Sequence, residues 1–413
     1  WKSGVSNKIP SYPEAILSSN IRSLIKDVET NPSAMNVQSL LETSENDFQY
    51  IVKYADEVKS QIHGPDISFV VNRNINYTNI CSFKCNFCAF SKGKGHDDLR
   101  GKPYNISEEE IIRRTKEAID RGATEVCLQG GIHPKFSGET YLDIVRAIRS
   151  VSDSIHIHAF SPLEIDHGRK TLNISVKDFL IELKNVGLNS LPGTAAEILH
   201  DDIRAIICPD KLNSNEWVEI IKAAHSVGLP TTSTMMFGHV ENMSHVAHHL
   251  IRLLEIQNST NGLTEFVPLP FVAEEAPIFR RGKSRPGPTF KETILVHSVA
   301  RILYNGSINN IQGSWVKMGL PGLKYLLSSG INDIGGVLMN ESITRSAGAS
   351  FGQELNLDDV LSIIDELGLN LKQRNTLYHS LTNDIQDLIN LQSIPLIPII
   401  NEYHQPKKIT TTL

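Results

Sequence analysis

The sequence Cys81-Ser82-Phe83-Lys84-Cys85-Asn86-Phe87-Cys88 carries three cysteines at C-x3-C-x2-C spacing. Three thiolates on one short loop are good ligands for a soft metal centre such as an iron–sulfur cluster. A closed structural metal site takes four protein ligands, and this loop supplies three. A four-iron cluster held by three cysteines leaves one iron open, so a small molecule can bind the metal directly. The alternatives are a zinc knuckle and a set of buried thiols, because cysteine often packs simply as a small hydrophobe.

A repeating unit runs along the chain around this loop. Each unit has a helical stretch, a glycine that ends it, a short apolar strand and an exit of small residues. The predicted strands are 67–71, 125–131, 155–160, 188–191, 229–237, 265–269, 308–311 and 331–334. Strands that alternate with helical stretches indicate parallel βαβ units. We therefore expect an α/β fold with a (β/α)8-like barrel. The alternative is an open doubly wound sheet, but no G-x-G-x-x-G follows the first strand.

Helical patterns precede and follow the predicted barrel. Residues 1–64 are predicted to form a helical lead-in that closes one end of the barrel, with an apolar stripe that includes Ile21, Leu24, Ile25 and Val28. The barrel is expected over residues 65–350, and residues 351–413 are predicted to form a helical C-terminal extension.

Composition restricts the class of partner. The 413 residues include 40 Lys+Arg against 46 Asp+Glu, a formal net charge of −6, so the chain lacks the basic field that nucleic-acid binding needs. No apolar run approaches the ~20 residues of a membrane span, and the first residues do not form a secretion signal. Five cysteines are few for this length and odd in number, which indicates a reducing cytoplasm rather than a disulfide framework.

The catalytic groups of parallel barrels lie at the C-terminal ends of the strands. This rule selects Gly130, Gly131, His133, His158, Ser161, Glu164, Glu197, Arg281, Gln312, Asn340 and Glu341.

Several of these residues have an obvious possible role. Paired glycines let a ligand approach the backbone, and strand alternation predicts that His156, His158 and Phe160 share the interior face. A basic loop around Arg281 could fold over the mouth and hold a carboxylate. The alternatives are a plain turn for the glycines, histidines satisfied by their neighbours, a helix-dipole acid at Glu197 and a solvated basic loop.

Cys81, Cys85, Phe87 and Cys88 match the C-x3-C-x-Φ-C loop of the radical S-adenosylmethionine (AdoMet) superfamily, which the chain therefore resembles. The resemblance implies that the three cysteines bind a [4Fe-4S] cluster and that AdoMet binds the open iron. It further implies that Phe87 lies beside the adenine, that Gly130-Gly131 faces the methionine end, and that Glu197 grips the ribose or the ammonium group. His133, His158 and Glu164 are then the candidates for catalytic residues, while Ser161, Arg281, Gln312, Asn340 and Glu341 are the candidates for substrate contacts.

Longer runs resemble one family within this superfamily, the tyrosine-using subunits of FO synthase. The runs are 72–79, 125–134, 156–164, 191–197, 208–212, 266–271 and 340–348. The resemblance implies a transferase that joins the 4-hydroxybenzyl fragment of L-tyrosine to 5-amino-6-(D-ribitylamino)uracil in coenzyme F0/F420 biosynthesis. The product would be 5-amino-5-(4-hydroxybenzyl)-6-(D-ribitylimino)-5,6-dihydrouracil. The resemblance implies a second radical AdoMet subunit as partner, because the chain contains no second three-cysteine loop. It also implies a reducing electron donor.

Two alternatives remain open at this point. The first is a sibling enzyme of menaquinone synthesis, an aminofutalosine synthase or a dehypoxanthine futalosine cyclase, which shares the cluster loop and the barrel. The second belongs to another class, a non-catalytic metal or redox-sensing module.

Overall fold

The computed structural model describes residues 20–91 and 102–399. The parts of the predicted lead-in at 1–19 and of the predicted extension at 400–413 lie outside these residues. The strands are β1 (Asp66–Val70), β2 (Asn72–Asn76), β3 (Glu125–Gln129), β4 (His156–Ala159), β5 (Thr231–Phe237), β6 (Leu263–Pro270), β7 (Asp333–Gly336) and β8 (Asn370–Gln373). The helices are α1 (Ile21–Thr30), α2 (Ala34–Leu41), α3 (Glu45–His63), α4 (Glu108–Asp120), α5 (Gly138–Arg149), α6 (Pro162–Leu172), α7 (Val176–Val186), α8 (Asp201–Ile207), α9 (Ser214–Ser226), α10 (Met243–Thr260), α11 (Pro277–Arg280), α12 (Phe290–Leu303), α13 (Trp315–Leu327), α14 (Ile343–Ser346), α15 (Leu357–Glu366) and α16 (Ile385–Gln392).

The parallel strands close into a barrel, as the sequence predicts. β2 pairs with β3 and β3 with β4, β5 pairs with β6, and β7 pairs with β1, all in parallel. The links between these groups are the parallel bridges His158↔Ser190, Leu191↔Thr231, Phe266↔Ile311 and Gln312↔Asp333. The predicted strands at 188–191 and 308–311 are therefore present as single bridges. One bridge on each side is too little ladder to make a strand of regular length.

The polar segment before the cysteine loop is itself a barrel strand, which the sequence pattern did not predict. β2 contains Asn72, Arg73, Asn74 and Asn76, and it pairs with β3 in unbroken register. Asn72 and Arg73 are buried. A strand inside a barrel can carry polar side chains when neighbouring elements satisfy them. An apolar run is therefore the wrong criterion for this strand.

The lead-in helices α1–α3 pack mainly against the outer helices α10 and α12. The side chain of Lys59 in α3 donates to the carbonyl oxygen of Leu327 at 3.2 Å, which ties the lead-in to the C-terminal end of α13. Residues 20–64, the described part of the lead-in, do not line the cavity within the barrel. That the lead-in closes one end of the barrel stays a prediction.

The C-terminal region contains a strand in addition to the predicted helices. β8 pairs in parallel with β1 from Asp66↔Asn370 to Phe69↔Gln373. The chain then continues beneath the barrel, where Arg374 and Thr376 reach the cavity. Four residues of strand are too short to show a period, so this strand depends on its pairing with β1. No helix within the described part of the chain is long and apolar enough to cross a membrane.

Candidate active site

A cavity of about 410 Å³ opens at the C-terminal ends of the barrel strands. The cysteine loop covers one side of it, and the segment after β8 contributes to the opposite end. The predicted site residues that line the cavity are Cys81, Cys85, Cys88, Phe87, Gly130, Gly131, His158, Ser161, Glu164, Glu197, Gln312 and Glu341. Most of the candidates selected from the sequence are thus brought to one place.

The cysteine loop is held by loops that follow three different strand positions. Ser82 donates its backbone N–H to Ile132 at 2.8 Å, beyond β3, and Asn86 donates to Ile207 at 2.8 Å, at the end of α8. The backbone N–H of Ile278, beyond β6, donates to Asn86 at 2.7 Å. The loop therefore has one defined position over the barrel mouth.

Backbone N–H groups point at two of the three sulfur atoms of the cysteine loop. The backbone N–H of Ile132 donates to Cys81 Sγ at 3.3 Å, and the backbone N–H of Ser91 donates to Cys88 Sγ at 3.4 Å. Burial raises the pKa of the Cys85 thiol and the pKa of the Cys88 thiol.

These residues fit an iron–sulfur cluster bound by three cysteines. All three cysteines are free thiols, and all three line the same cavity. Across residues 20–91 and 102–399, no three His, Cys, Asp or Glu side chains are placed to hold one metal ion. A four-iron cluster does not require three side chains around one ion, because each cysteine binds a different iron and the sulfur atoms stay farther apart.

A buried ion pair lies beside the cysteine loop, and the sequence analysis did not select its cation. Lys211 Nζ lies 2.8 Å from Glu197 Oε1 and 5.1 Å from the centre of the Phe87 ring. Burial works against the ammonium, but Cys85 and Glu197 outweigh it and raise the pKa of Lys211 above its ordinary value. Lys211 falls in the run 208–212 that carried the family resemblance, so that run was the available signal.

Gly130 and Gly131 pack against the segment that enters the cysteine loop. A methyl group at Gly130 would collide with the ring of Tyr77, and one at Gly131 would lie 2.8 Å from the carbonyl carbon of Ile80 and 3.0 Å from Cys81 Cβ. Close packing within the protein therefore requires glycine at both positions, whether or not a ligand also approaches them.

The two histidines of β4 face the same hydroxyl group. His156 Nε2 and His158 Nδ1 each lie 2.7 Å from Ser190 Oγ. Burial lowers the pKa of His158, which keeps its ring neutral. Phe160 departs from the predicted alternation, because its φ of 68° turns it out of the strand and its ring packs against Tyr141 at 5.0 Å.

Glu164 is occupied by contacts within the protein. It completes a capping box with Ser161, whose backbone N–H donates to Glu164 Oε2 at 2.7 Å. The hydroxyl of Tyr77 donates to the other carboxylate oxygen. Burial raises the pKa of Glu164 above its ordinary value. The arrangement fixes the start of α6 relative to the buried Tyr77 ring.

Three predicted site residues do not line the cavity. His133 is buried against Phe136, with ring centres 4.7 Å apart. Asn340 accepts from the Arg73 guanidinium at 2.6 Å. Arg281 is exposed and donates to Asn86 Oδ1 of the cysteine loop at 3.1 Å, so it contacts the loop that covers the cavity without lining the cavity itself.

The floor of the cavity is a polar network that the sequence did not reveal. Glu125 accepts from Asn72 Nδ2 and from Thr376 Oγ1, both at 2.7 Å. The guanidinium of Arg374 donates to Asp333 at 2.9 Å and lies 3.5 Å from the carboxylate of Glu265. No signal in the sequence placed residues after 370 inside the barrel.

The comparisons with known proteins agree with this architecture. The family model of the Radical SAM superfamily matches residues 75–253, and the model of the CofH/MqnC C-terminal region matches residues 260–386. Among solved structures, methylornithine synthase (PylB) is 15% identical with a TM-score of 0.65, over 89% of this chain and 99% of that one. HydG, a maturase of the [FeFe]-hydrogenase, is 14% identical with a TM-score of 0.66, over 88% of this chain and 78% of that one. These likenesses concern the fold.

The chain is similar in sequence to two groups of proteins, transferases of comparable length and longer FO synthases. It is 46% identical to the 5-amino-6-(D-ribitylamino)uracil–L-tyrosine 4-hydroxyphenyl transferase of Methanopyrus kandleri, over 79% of this chain and 88% of that protein. It is 45% identical to the protein of the same name from Methanocaldococcus jannaschii, over 85% of this chain and 97% of that protein. FO synthase of Mycobacterium leprae is 42% identical over 89% of this chain, which spans only 42% of that longer protein.

Proposed function

Because the chain belongs to the radical SAM superfamily, within the family of 5-amino-6-(D-ribitylamino)uracil–L-tyrosine 4-hydroxyphenyl transferases, we propose that it catalyses this transfer. In this proposal a hydrogen atom of the tyrosine amino group passes to the 5′-deoxyadenosyl radical, the Cα–Cβ bond of L-tyrosine breaks, and the 4-hydroxybenzyl fragment forms a new bond to C5 of the diaminouracil ring. The two-carbon remainder of tyrosine leaves as 2-iminoacetate. The adduct gives up one proton and one electron as its ribitylimino group forms, and this electron balances the one used to cleave AdoMet. The product is 5-amino-5-(4-hydroxybenzyl)-6-(D-ribitylimino)-5,6-dihydrouracil. The observation that carries the proposal is the near full-length likeness to transferases of this name.

In this proposal Cys81, Cys85 and Cys88 hold a [4Fe-4S] cluster, and AdoMet binds its open iron. When bound, the cluster supplies the electron that cleaves AdoMet to methionine and a 5′-deoxyadenosyl radical. Phe87 and Glu197 contact the adenosyl part of AdoMet. They are suited to this role because both line the cavity next to the cysteine loop. Both also contact Lys211, whose ammonium group pairs with Glu197 and lies over the Phe87 ring.

The barrel contributes position and protection. The cavity opens under a covering loop, and its walls exclude bulk water from a reactive fragment. His158 is held neutral and presents a ring nitrogen for a substrate hydrogen bond. Ser161, Gln312 and Glu341 also line the cavity, and we propose them as substrate contacts. His133, Asn340 and Arg281 are not among the proposed contacts, because they lie away from the cavity lining.

We propose that a second radical AdoMet centre takes up this product and completes the deazaflavin ring. The chain spans 42% of one longer FO synthase. We further propose that a reducing electron donor supplies the cluster and that the enzyme works in the cytoplasm. The free state of all five cysteines is compatible with such a compartment.

The test is mass spectrometry of the product formed by anaerobically reconstituted enzyme with AdoMet, L-tyrosine and the diaminouracil. With ring-labelled tyrosine, we expect the whole ring label in the hydroxybenzylated dihydrouracil. Formation of a chorismate-derived vinyl ether or of a futalosine derivative, from the corresponding substrates, would instead identify the sibling activity of menaquinone synthesis.

Cysteine variants test whether the loop is catalytic at all. Cys81→Ala, Cys85→Ala and Cys88→Ala should each abolish formation of 5′-deoxyadenosine. Cys208→Ala is the matched control, since Cys208 is buried in the core away from the cavity lining. If all three loop variants keep their 5′-deoxyadenosine output, the chain is not a radical AdoMet enzyme, and a metal or redox-sensing module becomes the better description.

A further inference from the structure

Lys317 is a cation in the cavity lining, and no residue among 20–91 and 102–399 pairs with its ammonium group. It lies in the first turn of α13, directly after the strand position at 311–312, and is half-buried. Within the described part of the chain, its ammonium group makes no hydrogen bond or ion pair. The other two Lys and Arg side chains in the lining are paired, Lys211 with Glu197 at 2.8 Å and Arg374 with Asp333 at 2.9 Å.

The two carboxylates that act on the charge of Lys317, Glu341 and Glu197, already have other partners within the protein. Burial lowers the pKa of Lys317, and Glu341 and Glu197 act in the opposite direction. Glu341, however, accepts from the backbone N–H groups of Thr344 at 2.7 Å and Arg345 at 3.3 Å, at the start of α14. Glu197 is bound to its own lysine. A partly desolvated ammonium without a partner is costly, unless a ligand supplies the anion.

We propose that Lys317 binds the α-carboxylate of the amino acid substrate. This inference rests on the proposed function, in which L-tyrosine carries a carboxylate and the diaminouracil does not. The apolar side chains of Val316 and Leu338 line the same part of the cavity, and they offer a surface for an aromatic ring.

The place of Lys317 in the barrel favours the substrate over AdoMet as the source of this carboxylate. The residues proposed for AdoMet follow the first four strand positions, whereas Lys317 follows the seventh, between the ends of β6 and β7. Lys317 therefore comes from a different strand position than the residues proposed for AdoMet. Lys317 is then a positioning residue that sets the orientation of tyrosine toward the reacting centre.

The test compares Lys317→Gln and Lys317→Arg with a matched control, Lys324→Gln. Lys324 lies farther along α13, beyond the kink at Gly319, is 36% exposed, pairs with Glu366 and does not line the cavity. Equilibrium dialysis with anaerobically reconstituted enzyme measures the binding of radiolabelled L-tyrosine and, separately, of AdoMet. Thermal unfolding confirms that each variant is folded.

We expect Lys317→Gln to weaken tyrosine binding about 10- to 100-fold, the range for loss of one charge-assisted hydrogen bond. AdoMet binding should stay within about twofold, Lys317→Arg should recover part of the loss, and Lys324→Gln should behave as wild type. Tyramine lacks the carboxylate, so its inhibition constant should be the same for wild type and Lys317→Gln.

Different failures have different meanings. A wild-type enzyme that cleaves AdoMet but makes no tyrosine-derived product overturns the proposed function. A productive wild type whose Lys317→Gln variant binds tyrosine normally overturns this inference alone. Weakened AdoMet binding, or equal losses for tyrosine and tyramine, also overturns it, because the lysine would then serve the cofactor or the general shape of the cavity.

Discussion

A single methyl group at Gly131 tests how the barrel positions the cysteine loop. In Gly131→Ala, the new Cβ would lie 2.8 Å from the carbonyl carbon of Ile80 and 3.0 Å from Cys81 Cβ, with the Ile80 oxygen closer still. Restoring ordinary contact requires the two segments to separate by about 1 Å. Both contacts are with the segment that enters the cysteine loop, so this separation displaces Cys81 directly.

The expected cost has a structural and a catalytic part. Overpacking of this kind destabilises a protein by about 1–3 kcal/mol. A displacement of about 1 Å at a reacting centre can lower a rate about 100-fold. We therefore expect Gly131→Ala to form 5′-deoxyadenosine at roughly a hundredth of the wild-type rate per folded chain, with reduced iron content after reconstitution.

The control has a similar collision at the other end of the barrel. In Gly262→Ala, just before β6, the new Cβ would lie 2.5 Å from Nδ1 of the His225 ring. This variant should lose comparable stability in thermal unfolding but keep its iron and its activity per folded chain. The reasoning is refuted if Gly131→Ala matches wild type in both iron and 5′-deoxyadenosine, or if both variants lose activity equally.

Two further predictions concern the polar floor. Asp333→Asn should lower the free energy of urea unfolding by about 3–5 kcal/mol, because it removes the carboxylate that accepts two hydrogen bonds from the buried Arg374 guanidinium and leaves only Glu265, at 3.5 Å, as its anion. Lys372→Gln, which removes an exposed ion pair of β8, should cost less than about 1 kcal/mol, and equal losses would contradict the argument. Burial raises the pKa of Glu265 from 4.5 to about 7, and Glu265 also accepts a hydrogen bond from the Tyr378 hydroxyl. Its contribution to the stability of the fold is therefore fully present below the pKa of 4.5 that it has in the unfolded chain, and is lost as pH rises through about 7. Relative to wild type, Glu265→Gln should therefore gain stability between pH 5 and pH 8, and parallel stability curves would show that Glu265 does not titrate there.

The sequence was a good guide where the deciding contacts are local. Six of the predicted strands are present as strands, because a short apolar run bounded by glycine is a signal contained within a few residues. The C-terminal strand rule brought His158, Gln312 and Glu341 to one cavity, since parallel strands all end at the same face.

The sequence was a poor guide where a polar side chain finds its partner far along the chain. The rule also selected His133, which is stacked on Phe136, and Asn340, which is bound to Arg73 across 267 positions. It passed over Arg374, whose partner Asp333 is 41 positions away on a different strand. Residue type alone does not distinguish a satisfied group from one that awaits a ligand.

The sequence by itself thus determined the three-cysteine loop, the alternation of helices with parallel strands, and the face on which chemistry takes place. Only the tertiary structure decided that a polar stretch is the strand before that loop, that the segment after β8 forms the cavity floor, and that Lys317 stands unpaired while Lys211 does not. The physical reason is that hydrogen bonds and ion pairs between distant segments are set by barrel closure, which no short window of sequence contains.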